Sequence, residues 1–327
     1  MSRHESSIAF VTRPASAEVS PMSRLSCAVR RHAVLLAALA LLALPAEPAV
    51  AAGTLDKVKD SGKLTLGYRS DARPFAFSDG GKPAGFSVEL CLKVADAVKA
   101  ELKLPTLAVD FVPLTAADRF DALQQGRVDL SCGTDTPTLQ RRAVVDFSIP
   151  IFLAGTGALL RADADWRLRD ALEDRPDPVQ PVWRGAPGLF SAKVVFAAVA
   201  GTSIETTLID ALRRRRVTVT VAPVPDYATG VQMVLDRRAA ALFGDRPVLL
   251  DAARRGPAGE LQVIERSFTR EALALALRRD DDAFRLLVDR SLSRLYRSPE
   301  LAPLYTTWFG PPGPLALQLF QSLALPE

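Results

Sequence analysis

From Leu64 onward the chain alternates short runs of β-type residues with segments of helical period, and it does so in two successive rounds. Parallel strands need a crossover between them, usually a helix, so this alternation argues against all-α and all-β architectures. It predicts an α/β protein on mainly parallel sheets. The first round reads as a strand over 64–68, then a loop carrying Phe75, Phe77 and the turn Asp79-Gly80-Gly81. A helix capped by Ser87 follows, with Val88, Cys91, Leu92, Ala95, Val98 and Leu102 at helical spacing. Next come a strand over 107–112, a helix entered through Thr115 and Asp118 and closed at Gly126, and a strand over 128–131 that runs into Gly133-Thr134-Asp135-Thr136. The second round has a strand over 194–198, Gly201-Thr202-Ser203 capping a helix over 204–212, a strand over 217–221, a helix over 227–235, and a strand over 240–243 ending in Gly244-Asp245. In each round a helix end feeds a short strand whose exit carries polar groups. In open α/β sheets that exit is where ligands bind.

Composition narrows the function. The 327 residues suffice for one large or two medium domains, and 41 Lys+Arg against 37 Asp+Glu give a formal charge of only +4, too weak a field for a nucleic-acid partner. Both histidines, His4 and His32, precede residue 33, and the 3 cysteines form no CxxC, which argues against zinc motifs and histidine catalysis. Arg30 and Arg31 precede an uncharged run over 33–44, Pro45 and the small residues Ala49-Val50-Ala51-Ala52, the order of an export signal. That run is too short to cross a bilayer, which needs roughly 20 helical residues. Cleavage is expected near Ala51, with residues 1–51 outside the folded protein. No cysteine follows the run where a lipid anchor would require one.

Between the rounds, residues 163–193 are rich in Pro, Asp and Arg and read as a surface excursion, with Trp166 and Trp183 packing it down. The basic run Arg213 to Arg216 reads as a solvated helix end, favoured there by the helix dipole. A strand over 271–277, helices over 282–296 and 299–308, and a tail from Gly310 that wraps a surface complete the expectation.

Several stretches, in order, carry a resemblance to a known family: Thr54-Leu-Asp-Lys-Val with Gly62-Lys-Leu-Thr-Leu-Gly-Tyr-Arg69, Pro74-Phe-Ala-Phe77, Gly85-Phe-Ser-Val-Glu-Leu-Cys-Leu92, Asp129-Leu-Ser-Cys-Gly-Thr134 through Arg141, Phe147-Ser148, Gly201-Thr-Ser203 and Trp308-Phe309. Over residues 54–310 the chain resembles the family 3 periplasmic solute-binding proteins of ABC transporters, and within them the glutamate/aspartate-binding branch. The resemblance implies a two-lobed type II periplasmic-binding-protein fold, each lobe a mixed, mainly parallel sheet flanked by helices, joined by two crossover strands. Lobe 1 is expected over 54–159 and again over 271–310, lobe 2 over 160–270, and the tail over 311–327. It further implies a monomer in the periplasm, without cofactor, metal or catalytic residues, that closes around an amino acid and delivers it to an inner-membrane ABC permease. A periplasmic enzyme on the same scaffold, of the cyclohexadienyl dehydratase type, is the alternative, since fold does not fix function.

A free amino acid needs a cation for its α-carboxylate and an anion for its α-ammonium, because burying either charge unpaired is costly. By family position Arg141, Thr136 and Ser203 would hold the carboxylate, with Thr134 and Thr202 beside them, and Asp245 would hold the ammonium. Arg69 falls where the acidic branch carries an arginine toward the ligand's second carboxylate, and Ala72 falls where binders of basic amino acids place a stacking aromatic. Three departures stand out. Tyr227 occupies a histidine position, Asp135 replaces a hydroxyl residue, and Pro137-Thr138 replaces an asparagine pair. Alternation around Thr134 and Thr136 predicts that Asp135 points outward.

Local roles remain open beside these. Arg69 could pair with Asp71 at the surface, Thr202 and Ser203 could only cap a helix, and Asp245 could cap the helix after it. Of the neighbours Arg141 and Arg142, one is expected to be solvated. Cys91 and Cys132 are a candidate disulfide, with two buried free thiols as the other reading.

Overall fold

A computed structural model describes residues 53–173, 194–214 and 219–326. The expected export segment with its cleavage near Ala51, the excursion from 174 onward with Trp183, and Arg215 and Arg216 lie outside the described residues. No helix among the described residues is long and apolar enough to cross a membrane.

Helix α1 (Thr54–Ser61) leads through Gly62, in the left-handed conformation, into β1 (Lys63–Arg69). β1 pairs in parallel with β5 (Ala108–Leu114) and with β6 (Leu130–Asp135). Helices α2 (Phe86–Glu101) and α3 (Arg119–Gln124) make those crossovers. The predicted loop after β1 is instead a small sheet of β2 (Asp71–Ala72), β3 (Ala76–Asp79) and β4 (Lys82–Ala84). Gly80 and Gly81, both at positive φ, turn its hairpin. Phe75 and Phe77 are buried there, Phe75 against Phe152 and Phe309 and Phe77 against Trp308.

Ser87 does not cap α2. The helix starts one residue earlier from Gly85 (φ 125°), where a Cβ would sit 2.2 Å from the Phe75 carbonyl oxygen, and the Ser87 hydroxyl donates to the carbonyl of Gly133 instead. Val88, Cys91, Ala95 and Val98 face the core as their spacing predicts, whereas Leu92 is largely exposed.

After α4 (Leu139–Arg142) the chain makes β7 (Val145–Phe147) and β8 (Phe152–Ala154), then enters the second sheet as β9 (Thr156–Arg161). Helix α5 (Trp166–Glu173) follows, and Trp166 on it is half exposed rather than packed down. The second sheet runs from β10 (Val195–Val199), flanked in parallel by β11 (Thr220–Val224) and β12 (Ala241–Asp245). Helices α6 (Ser203–Arg214) and α7 (Tyr227–Leu235) cover it. After α8 (Arg246–Arg255), β13 (Leu261–Val263) pairs with β9. β14 (Glu271–Arg278) then returns to the first sheet beside β6.

The two sheets share one plan. The order β5-β1-β6-β14-β7 matches β11-β10-β12-β9-β13. In each, three parallel strands built by helical crossovers meet an antiparallel strand that arrives from the other lobe. The two traverses lie side by side. The Thr156 amide donates to Thr269 Oγ1 and the Phe268 amide to the Thr156 carbonyl, at 3.1 and 2.8 Å. Gly155 permits this approach, since a Cβ there would stand 2.4 Å from the Thr269 carbonyl oxygen.

Helices α9 (Asp282–Arg297) and α10 (Leu301–Phe309) close lobe 1. The expected tail is in part a further helix, α11 (Pro314–Leu323), because Phe320, 1% exposed, inserts against Tyr296, Tyr305 and Phe86. Cys91 on α2 and Cys132 on β6 are joined as a disulfide across a sequence separation of 41. Closing a loop of that length restricts the unfolded chain by ~2–4 kcal/mol. Reduction, or Cys91→Ala with Cys132→Ala, is therefore expected to lower the thermal midpoint by several degrees in scanning calorimetry.

Candidate functional site

The polar strand exits of both sheets face one crevice. On the lobe 1 side, Thr138 caps α4 by accepting from the Arg141 amide at 3.1 Å. The Arg141 guanidinium donates to the Thr136 carbonyl at 2.9 Å and, across the crevice, to the Gly201 carbonyl at 3.4 Å. It also stands over the Phe120 ring. Arg141 makes no ion pair among the described residues. Burial, and then the charge of Arg119, push its pKa down to about 10. Its neighbour Arg142 is exposed. Pro137-Thr138, met in the sequence as a departure, thus builds the turn that presents Arg141.

On the lobe 2 side, Thr202 accepts from the Glu205 amide while Glu205 accepts from the Gly201 amide, a reciprocal cap that starts α6. Thr202 serves the helix, and Ser203 serves the crevice. The Ser203 hydroxyl lies 3.3 Å from Thr136 Oγ1 and 3.2 Å from Glu271 Oε2. Asp245, at the end of β12, has no capping bond to α8 through its side chain, so its carboxylate is available for something else. Tyr227 holds it: the phenol donates to Asp245 Oδ2 at 3.2 Å and accepts from the Asp245 amide at 3.1 Å. Both residues are buried. Burial pushes the Asp245 carboxyl up to about 6, the nearby Glu271 charge adds to the rise, and the Tyr227 and Thr134 hydroxyls and the Arg69 charge oppose it. Burial also pushes the Tyr227 phenol well above its ordinary value, so it stays a neutral donor.

Arg69, only 2% exposed, does pair with Asp71, but inside the protein rather than at its surface. Nε donates to Oδ1 at 2.7 Å and Nη2 to Oδ2 at 2.9 Å. Burial works against this guanidinium, yet its bonds to Asp71 leave its pKa above the ordinary value. Asp71 Oδ2 also accepts from the Tyr227 amide of lobe 2 at 3.3 Å.

Asp135 does not point outward. It is fully buried, with Arg119 Nε at 2.5 Å and the Ser131 hydroxyl donating at 2.9 Å. Strand alternation does put it on the face away from Thr134, but that face is covered by α3, which carries Arg119. The added carboxylate is therefore neutralised where it stands. Sequence reasoning also missed Glu271 on the returning strand, whose Oε1 accepts from the Thr269 hydroxyl at 2.9 Å. Arg119 and Glu271 carry no local signal: Arg119 reaches the crevice from a helix packed over β6, and Glu271 through a strand paired with residues more than a hundred positions earlier. Asp71 was legible as a partner of Arg69 through its spacing, but not as a buried one. No cluster of His, Cys, Asp or Glu suited to a metal occurs among the described residues.

Comparison with known proteins finds relatives over most of the chain. The L-glutamate/L-aspartate-binding protein of Pseudomonas aeruginosa is 32% identical over 280 residues, covering 84% of this chain and 86% of that one. The glutamate/aspartate import solute-binding protein of Escherichia coli is 28% identical over 88% of this chain and 90% of its own. Among solved structures, the ancestral amino acid-binding protein AncCDT-1, a precursor of cyclohexadienyl dehydratase, matches with a TM-score of 0.62 at 26% identity, over 79% of this chain and 100% of that one. The cysteine-binding protein of Campylobacter jejuni shares the fold with a TM-score of 0.64 at 20% identity, over 79% and 93%. The model of the bacterial extracellular solute-binding proteins, family 3, matches residues 64–311, and with the two-lobed fold in hand the chain belongs to that family.

Proposed function

We propose that this protein is the amino-acid-binding component of an ABC importer, closing around free glutamate or aspartate in the periplasm and passing it to an inner-membrane permease. One observation carries the reading. In a crevice where Arg119 is paired with Asp135 and Arg69 with Asp71, Arg141 of lobe 1 and Asp245 of lobe 2 have no counter-ion among the described residues, and Glu271 is held only by hydroxyls. Buried charges left so are costly unless something supplies the opposite charge, and the two ends of an amino acid do. Arg141 forks the α-carboxylate with Thr136 and Ser203, and Asp245, held by Tyr227 and Thr134, takes the ammonium. Residues 54–159 with 271–310 form one half of the clamp and 160–270 the other. The glutamate/aspartate-binding relatives from Pseudomonas aeruginosa and Escherichia coli support the acidic ligand and the import role. The protein acts as a monomer after cleavage near Ala51, without cofactor.

Isothermal calorimetry against the standard amino acids tests the reading. Arg141→Ala is expected to weaken binding by about 10²-fold or more, since it leaves a buried carboxylate unpaired. Arg69→Ala is expected to lower affinity for glutamate and aspartate more than for small neutral amino acids. Unchanged affinity in Arg141→Ala would sink the proposal.

An acid–base group near neutrality beside Tyr227 favours one further reading, a dehydratase. Incubation with prephenate or arogenate separates the two: no product is expected.

The Asp245 carboxyl gives a pH signature. Its folded value of about 6 exceeds its unfolded value of about 4, so the unliganded protein holds this proton more tightly when folded, and its stability falls as pH rises through that window. Ligand ammonium requires the carboxylate. Affinity should therefore fall below about pH 6, by up to about tenfold per pH unit, with proton release on binding near that value. Titrations in buffers of different ionisation enthalpy measure it, and Asp245→Asn should abolish the proton release.

A further inference from the structure

The crevice contains a second recognition element, formed by Arg69 and Asp71. Arginine has five N–H donors, and Asp71 engages Nε and one Nη2 proton. Nη1 makes no hydrogen bond among the described residues. Asp71 in turn accepts from two guanidinium nitrogens and from the Tyr227 amide, which leaves a carboxylate with room for one more donor. The pair lies beside Asp245, near enough for the Arg69 charge to act on that carboxyl. Tyr227 touches Asp71 through its amide and Asp245 through its hydroxyl, so it links the ammonium site to the Arg69 pair. Asp71 and Tyr227 also line an interlobe cavity of about 580 Å³ together with Arg73, Thr115 and Pro225.

A free guanidinium at this point would select a carboxylate. A guanidinium already bonded in a fork to Asp71 has part of its charge compensated, and a second carboxylate brought against it also meets the like charge of Asp71, so its preference for a carboxylate is reduced. A primary carboxamide meets neither problem: its carbonyl accepts from Arg69 Nη1 while its NH2 donates to the Asp71 carboxylate.

We propose that Asp71 extends the ligand range of this crevice from the acidic amino acids to their carboxamide counterparts, glutamine and asparagine, because the Arg69–Asp71 pair presents a donor beside an acceptor. This rests on the amino-acid-binding reading above and adds the side-chain rule to it. Asp71 is a specificity-determining residue, and its removal leaves Arg69 as a lone cation that favours carboxylates.

The test is calorimetric binding of glutamate, glutamine, aspartate and asparagine to the wild-type protein, Asp71→Asn and Asp71→Ser. Asparagine keeps an acceptor for the Tyr227 amide, and serine provides a smaller replacement should asparagine disturb the fold. Melting curves of the unliganded variants establish that they are folded. In the wild type, glutamine is expected to bind within about tenfold of glutamate. In either folded variant the glutamine-to-glutamate ratio of dissociation constants should rise at least about tenfold, which is about 1.4 kcal/mol. A ratio that moves by less than about threefold in the folded variants overturns the proposal, as does a wild type that binds glutamate but rejects glutamine by more than about a hundredfold. Either result leaves the amino-acid-binding reading intact. If the wild type binds none of the standard amino acids, that reading fails and this one with it.

Discussion

Charge compensation inside a low-dielectric crevice is the constraint on which the arrangement depends. Among the described residues, seven charged side chains gather where the strand exits meet, most of them buried. Two pairs are settled within the protein: Arg119 with Asp135, both nearly inaccessible, and Arg69 with Asp71 in a two-bond fork. Each pair offsets desolvation with direct hydrogen bonds, which is the condition for tolerating buried charge. Among the described residues Arg141, Asp245 and Glu271 have no such partners, and hydroxyls and carbonyls hold them instead. The protein thus arranges fixed charges of both signs around a space, and that favours a zwitterion over a simple anion or cation.

The fold serves this arrangement by exchanging strands. β9 leaves the first half of the chain to complete the second sheet, and β14 returns to complete the first. Because the two traverses run side by side, with Gly155 allowing backbone contact, the lobes are joined at one place and free to face each other elsewhere. Glu271 stands at the end of one traverse and touches Thr269 on the same segment and Ser203 of lobe 2. A hinge of this kind changes the distance between lobes while leaving each lobe's own charge pairs intact.

Several contacts span the crevice in the structure itself. Arg119 and Arg141 both reach the Gly201 carbonyl, the Tyr227 amide reaches Asp71, and Arg73 lies 3.4 Å from Asp251. Of the three charges without a partner among the described residues, only Arg141 takes part in these contacts, and it does so through a carbonyl rather than a carboxylate. They set the register in which the lobes meet, so that Thr136 and Ser203, from different sheets, come to face each other.

The sequence by itself determined the α/β character, most strand and helix positions, and the residue types able to meet an amino acid's charges. Those features are local: period, capping residues such as Thr202, and polar groups at strand exits are written within a few residues of one another. The α7 helix begins at Tyr227 and ends at Leu235 as its pattern predicts. Tertiary structure alone decided which charges are neutralised. That Asp135 is buried against Arg119, that Asp71 is enclosed with Arg69, and that Glu271 joins the crevice follow from how strands and helices pack, which residue spacing does not record. The same holds for the helix in the tail, which forms because Phe320 finds an aromatic cluster to enter. Pairing and burial are properties of the assembled neighbourhood, and a linear pattern records the residues available for them but not which ones will meet.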